Sequence, residues 1–179
     1  GVEVEDVAED ELVVKSGPLV PAVVDCGNAG TLMRLLAGIL AGHSGRWELT
    51  GDESLRARPM DRIAEPLKRM GARVTTFHRR SSSGEPVGDI EVQSAELTAT
   101  TVRAEEIPRL VDELPLFALA AASAHGDSRV EGARELRVKE TDRIETVTSA
   151  LRALGIRITA RDDGFGVRGV PSRPRGGGM

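Results

Sequence analysis

A short charged segment recurs once in the chain, and that recurrence constrains the fold more than any other feature. LRARPMDRI runs from Leu55 to Ile63, and LRVKETDRI runs from Leu136 to Ile144, an offset of 81 residues. At this offset Leu55 meets Leu136, Arg56 meets Arg137, Arg58 meets Lys139, Asp61 meets Asp142, Arg62 meets Arg143 and Ile63 meets Ile144; Gly51 also falls on Gly132. The flanks agree. An apolar stretch precedes each copy (TLMRLLAGILAG, then ELPLFALAAASAHG), and an amphipathic stretch follows each (RIAEPLKRMGARVTTF, then RIETVTSALRALGIRITA). A chain with such self-similarity is built from repeated supersecondary units.

Each unit reads as helix, strand, charged loop, helix, glycine stop and strand. Ile144, Val147, Leu151 and Leu154 lie on one face of a 3.6-residue period, as do Ile63, Leu67 and Met70. Gly71 and Gly155 stand where a helix C-terminus takes a left-handed residue. Pro59 suits a first helical turn. The segment from Phe117 to Ala122 is apolar all round and predicts a buried helix. Strands are expected at Val2–Val4, Leu12–Lys15, Trp47–Thr50, Ala72–Phe77, Asp89–Val92, Thr100–Ala104, Ser128–Glu131, Ile156–Ala160 and Phe165–Arg168. Ile156, Ile158 and Ala160 alternate with Arg157 and Thr159, the pattern of a half-exposed sheet. The stretch from His78 to Asp89, rich in Ser, Gly, Pro and Arg, predicts a linker, with one unit over 1–80 and the other over 81–179. The tail from Gly169 is expected to be irregular.

Composition removes several classes of function. No apolar run reaches membrane-spanning length, and the acidic N-terminal stretch lacks a signal peptide's pattern. One cysteine and three histidines make a dedicated zinc site improbable. A net charge of -4 and 2% aromatic residues disfavour nucleic-acid binding. A cytoplasmic protein is the expectation.

Three groups of residues could carry chemistry. GNAGT (Gly27–Thr31), ahead of an apolar helix, could cradle a phosphate or carboxylate on free amides, or be a plain turn and cap. Arg56, Arg58 and Arg62 are echoed by Arg137, Lys139 and Arg143. Cations at a helix start oppose the macrodipole, and an anionic ligand would offset that; salt bridges to Asp61, Asp142, Glu135 and Glu140 are the alternative. Asp112 and Glu113 precede the buried helix, and Glu140 lies in the second cationic loop. These carboxylates could act as a base or orient a hydroxyl, while Asp112 could equally be a helix cap. Cys26 has no histidine near it in sequence and reads as a small buried thiol. His43, His78 and His125 read as surface imidazoles in turns, and Trp47 as a packing residue.

GNAGTLMRLLAGILAG with LRARPMDRIAEPLKRMGA, and IPRLVDELPLFALAAASAHG with ELRVKETDRI, resemble two ordered stretches of the EPSP synthase (3-phosphoshikimate 1-carboxyvinyltransferase) family. The resemblance implies an α/β (α+β) fold of repeated βαβαββ units, about two of them here, of the enolpyruvyl transferase type. It implies transfer of enolpyruvyl from phosphoenolpyruvate to the 5-hydroxyl of shikimate 3-phosphate, with no metal or organic cofactor. Matched by motif, Gly30, Arg58 and Arg143 would contact phosphoenolpyruvate, and Asp112 and Lys139 would contact shikimate 3-phosphate. Asp112 would accept the hydroxyl proton, and Glu140 would serve proton transfer at the enolpyruvyl carbon.

The departures are equally specific. The family's opening Pro-Gly-Asp-Lys-Ser run, its Ser-Ser-Gln segment, its late Asp-His-Arg motif and its final lysine have no match. Glu135 stands where some members carry Asn. The match jumps near His78–Gly84 from one family domain to the other. The 179-residue chain alone is therefore expected to show little or no transferase activity. UDP-N-acetylglucosamine enolpyruvyl transferase, or an anion-binding remnant of the fold, are the alternative readings. With the helices around Ala37 and Ala120 deprived of neighbours, self-association is also expected.

Overall fold

The computed structural model describes residues 3–8, 11–15, 17–82, 85–139 and 141–169. The repeat in sequence becomes a repeat in topology. The first unit runs β3 (Val23–Asp25), α1 (Gly30–Ala41), β4 (Arg46–Thr50), α2 (Glu53–Arg56), α3 (Asp61–Arg69), β5 (Arg73–Ser82) and β6 (Glu85–Gln93). The second runs β7 (Thr101–Val102), α4 (Ile107–Leu110), α5 (Leu114–Ala122), β8 (Gly126–Val130), a 3-10 turn at Arg134–Val138, α6 (Arg143–Ala153), β9 (Ile158–Arg161) and β10 (Gly164–Gly169). Each unit forms one four-stranded sheet, in the orders β3-β4-β6-β5 and β7-β8-β10-β9. In both, the first two strands pair in parallel across a helical crossover and the last two close as an antiparallel hairpin. Parallel pairing demands such a crossover, and it places each unit's apolar helix against its sheet.

Strand alternation then sorts the faces. Trp47 and Leu49 on β4 face inward beside Val92 and Ile90 on β6, and all four are buried. Val130, Phe165, Val167 and Ile158 do the same in the second sheet. Trp47 carries its polar edge inward at no cost, because Nε1 donates to the Val20 carbonyl at 3.1 Å. Cys26 is buried, and burial pushes its thiol up, as does the nearby Asp25.

The two units share one core. Helix α1 lies along α5, and the contacts advance together on both helices: Arg34 meets Glu113, Gly38 meets Leu116 and Gly42 meets Ser123. The two helices therefore run parallel. A Cβ at Gly38 would sit 2.5 Å from Leu116 Cδ1, so glycine is what lets the backbones approach so closely. Ala37 and Ala120 are fully buried. The uncovered helix faces expected from the sequence are thus covered by each other. Among the described residues the exposed large apolar side chains are Val4, Val7 and Val14 on the hairpin β1 (Glu3–Ala8) and β2 (Glu11–Lys15), Val20, Val23 and Val138, and Leu32 on the first turn of α1.

Other differences have local causes. Most of the linker expected over 78–89 is strand: β5 continues through His78 to Ser82 and pairs antiparallel with β6, so the division expected after residue 80 falls inside β5. Pro59 precedes helix α3 and makes an isolated bridge with Val87; Pro66 is the proline inside that helix. His43 lies in a turn and His125 at the start of a strand pairing, but His78 is a strand residue. Gly71 and Gly155 have φ of +96° and +84°, the left-handed stops the helical pattern predicts. The tail beyond Gly169 lies outside the described residues.

Candidate anion-binding site

The first loop is built around Gly30. Asp25 Oδ1 accepts from Gly27 N at 2.9 Å, and the Asp52 amide donates to the Gly27 carbonyl at 2.8 Å, which folds 25–30 against the end of β4. Asp52 then works twice more. It caps α2 by accepting from Leu55 N at 2.8 Å, and it accepts from Asn28 Nδ2 at 2.9 Å. Asn28 in turn accepts from Arg58 Nη2 at 2.5 Å. The result lays the Arg58 guanidinium across the start of α1: a Cβ at Gly30 would lie 2.8 Å from Arg58 Nη1. Helix α1 has no side-chain cap, so its first-turn amides and Arg58 present positive charge together.

The second loop repeats the plan with different partners. Asp142 caps α6, accepting from Glu145 N at 3.0 Å, and that bond, with the Arg137 guanidinium at 2.7 Å, holds its carboxyl below the usual range. Arg143 opens α6 and donates from Nη1 to Asp112 Oδ1 at 3.1 Å. Asp112 and Arg143 line a small cleft of about 160 Å³ with Val111, Leu114, Thr141 and Phe165 among its walls. Lys139, which follows the 3-10 turn, is exposed. Glu140 lies outside the described residues.

A buried ion pair joins the two loops. Arg34, in the second turn of α1, approaches Glu113 to 2.9 Å at the N-terminus of α5, and the Glu113 side chain is 5% exposed. Burial pushes the Glu113 carboxyl up; Arg34 pulls it back, Asp112 adds to the rise, and Arg62 opposes it. Arg34 Nε and Glu113 Oε1 nevertheless lack a hydrogen bond of good geometry. Because Arg62 sits on the first turn of α3 and Arg143 on the first turn of α6, the N-terminal ends of α1, α3, α5 and α6 converge on the acidic pair Asp112–Glu113. Helix starts with arginines beside them are an arrangement that can attract anions.

Not every cation of the repeat belongs to that place. Arg56 lies 3.2 Å from the buried carboxylate of Asp89, which also accepts from Thr50 Oγ1 at 2.8 Å. Arg137 donates to Asp142, to the Asp162 carbonyl at 3.0 Å and to the Arg161 carbonyl at 2.5 Å. These two matched arginines clamp their loops to the sheet. The helix-cap reading of Asp112 also fails: the cap position of α5 is Glu113, and Asp112 pairs with Arg143 instead. Sequence reasoning passed over Arg34 and Asp52, and took Asn28 only as a member of GNAGT. Arg34 had a signal: a lone cation inside the apolar run TLMRLLAGILAG needs an acid when buried, and Glu113 is the acid heading the other apolar run. Among the described residues no group of three or more His, Cys, Asp or Glu side chains is placed to hold a metal, and no helix is long and apolar enough to cross a membrane.

Comparison with known proteins bears on the same residues. The EPSP synthase (3-phosphoshikimate 1-carboxyvinyltransferase) family model matches residues 1–84 and, separately, 79–178. A 3-phosphoshikimate 1-carboxyvinyltransferase of Lactiplantibacillus plantarum is 53% identical over 106 residues, 59% of this chain and 24% of the relative. One from Chloroflexus aurantiacus is 28% identical over 323 aligned positions, covering 98% of this chain and 74% of the relative. Since this chain has 179 residues, that relative carries a long internal stretch with no counterpart here. The solved EPSP synthase of Acinetobacter baumannii superposes with a TM-score of 0.66 at 30% identity, covering 96% of this chain and 39% of that one. The chain thus spans about two fifths of that solved relative and a quarter of the first curated one. Two motif-bearing units of one topology, each matched in turn by the same family model, establish that the chain belongs to the EPSP synthase family.

Proposed function

We propose that this chain binds phosphoenolpyruvate and shikimate 3-phosphate at the convergent helix ends, as part of an enolpyruvyl transfer site. The observation that carries the reading is Arg58 lying over Gly30 at the start of α1, with Arg143 on Asp112 across the Arg34–Glu113 pair. Gly30, Arg58 and Arg143 hold the phosphoenolpyruvate anion. Glycine at position 30 leaves the helix amides accessible, and the guanidinium forks match carboxylate and phosphate oxygens. Lys139 and Asp112 meet shikimate 3-phosphate.

In the reaction the 5-hydroxyl oxygen of shikimate 3-phosphate bonds to C2 of phosphoenolpyruvate while C3 gains a proton. The hydroxyl proton passes to the Asp112 carboxylate, and Glu140 serves the proton transfer at C3. The tetrahedral intermediate then collapses: C3 gives up a proton, the C2–C3 double bond re-forms, and the C–O bond to phosphate breaks, so that phosphate leaves as inorganic phosphate. The arginines and helix ends stabilise the anionic intermediate because they are already oriented toward it. In this chain the two family-model matches meet at 79–84, inside the first unit's sheet, and the second unit follows β6. We propose that the chain alone binds substrates but turns them over far below a normal enzymatic rate.

Calorimetric titration with shikimate 3-phosphate, with and without phosphoenolpyruvate, tests this when paired with a phosphate-release assay. Expected are saturable binding that phosphoenolpyruvate tightens, and little phosphate release. A folded chain that binds neither compound would overturn the site assignment. Phosphate release at an ordinary enzymatic rate would overturn the inactivity of the chain alone.

A further inference from the structure

The outer face of the second sheet carries a feature that the transferase reading does not use. A groove of about 510 Å³ lies over strands β8, β10 and β9, and its walls include Arg129, Arg152, Arg157, Arg161 and Arg168, with Asp127 as the one acid. Register explains why these side chains gather. Arg129 pairs with Gly166, which pairs with Thr159 on the other side; in the next row Asp127 pairs with Arg168, whose amide donates to the Arg157 carbonyl at 2.8 Å. All of these point away from the core, because their neighbours Ser128, Val167 and Ile158 are buried beneath.

Three observations make this more than a charged surface. Arg129, Arg157, Arg161 and Arg168 have no acidic partner among the described residues. The floor of the groove is Gly166, where a Cβ would lie 3.6 Å from Arg161 Nε and 3.7 Å from its Nη2, so the guanidinium hangs over a space that any other residue would fill. Arg152 reaches in from α6 around the edge strand, with Nε donating to the Ile158 carbonyl at 3.0 Å. Arg152 is paired with Glu145 at 3.7 Å and Asp127 stands opposite Arg168, but the guanidinium groups still outnumber the acids around this hollow, and an anion between them would lower their mutual repulsion.

We infer that this groove is a second anion site, and that its ligand is a small molecule bearing two or three linked phosphate groups. The spacing argues for several charges. Neighbouring strands lie about 4.8 Å apart and alternate residues on one strand about 6.8 Å apart, so Arg129, Arg161 and Arg168 rise from separate points around Gly166 and offer several linked phosphates one fork each. A condensed phosphate lying over Gly166 reaches them together and takes bidentate bonds from each fork. With 2% aromatic residues in the chain, the groove offers no platform for stacking bases, so the phosphates are what it recognises.

Calorimetric titration of the full chain with sodium tripolyphosphate tests the inference, with orthophosphate as the single-charge comparison. Tripolyphosphate is expected to bind at least about tenfold more tightly than orthophosphate, and Arg129→Gln with Arg161→Gln should weaken it by at least about tenfold. Gly166→Val keeps every charge and suits a strand, yet fills the floor; it should weaken binding similarly. Arg58→Gln, in the loop at the helix ends, should leave this binding event in place. Tripolyphosphate affinity unchanged in Gly166→Val, affinity no better than that of orthophosphate, or loss of the event in Arg58→Gln would each overturn the inference. A Cβ at Gly166 meets no atom closer than ordinary contact, so the urea midpoint of Gly166→Val is expected to stay near the parent's, and Gly166→Ala, which adds that Cβ alone, should weaken binding in the same direction.

Discussion

On the outer face of the first sheet the charges answer each other. Arg46 on β4 lies 2.5 Å from Glu91 on β6, and Arg56 reaches the buried Asp89 on the same strand. On the outer face of the second sheet, in the same strand order, arginines face a groove with one aspartate among them. The inner faces do not differ in this way; both are apolar and both feed one core. Topology therefore follows the repeated pattern of apolar positions, while the charge on the exposed face varies freely between the copies. The same division holds in the loops. The matched pair Arg56 and Arg137 keep a structural task, whereas Arg58 lies over the start of α1 and its match Lys139 is exposed.

The comparison can be broken most severely where the units meet. Gly38→Leu drives a side chain into Leu116, whose Cδ1 and carbonyl oxygen lie 2.5 and 3.3 Å from the new Cβ. Overpacking of this kind should cost about 3 kcal/mol, read as a fall in the urea midpoint. If the units held together independently of this contact, the midpoint would hardly move.

Next in size is the division of labour inside the loops. Arg58→Gln should lower affinity for phosphoenolpyruvate with shikimate 3-phosphate by about tenfold while leaving the urea midpoint near the parent's. Arg56→Gln should do the reverse, because its partner Asp89 is buried and would lose a guanidinium. Equal effects of both variants on binding would erase the distinction. In the second unit, Arg137→Gln should be more destabilising than Arg56→Gln, since it gives up bonds to two backbone carbonyls, worth about 1–2 kcal/mol together.

Much of this arrangement was legible before any coordinates. The offset of 81 residues predicts two like units, and the periodicities of Ile63, Leu67 and Met70 and of Ile144, Val147 and Leu151 predict their second helices. The β5–β6 hairpin was not legible. Its tip reads as a linker because Ser, Gly, Pro and Arg dominate it, and strand pairing is a tertiary fact that local composition does not carry. The repeat also marked Arg56 and Arg137 without telling what they touch; Asp89 is 33 residues away and the Asp162 carbonyl 25. Helix packing was hidden for a related reason. Two apolar helices predict a buried face, but Gly38 against Leu116 is a match of shapes that neither segment shows alone.

The smallest expected effect concerns two glutamates that join the units, each to an arginine of the first. Glu113 meets Arg34 and Glu106 meets Arg69 at 2.8 Å. Burial pushes up both carboxyls, and in Glu113 it wins over Arg34 and Arg62, with Asp112 adding to the rise. In Glu106 the Arg103 amide and the guanidinium of Arg69 outweigh burial, and its carboxyl falls below the ordinary 4.5. The signs are opposite. A raised carboxyl contributes stability that is complete below its unfolded value and is lost as pH rises through the folded one; a lowered carboxyl contributes stability above its unfolded value that is lost as pH falls through the folded one. Glu113→Gln should therefore flatten the dependence of the urea midpoint on pH on the alkaline side of 4.5, and Glu106→Gln should flatten it on the acid side. Midpoints measured from about pH 3 to pH 7 for parent and both variants distinguish the two. Flattening on the same side in both would mean that the junction responds to net charge, and that the burial of Glu113 between two helix ends has no separate consequence.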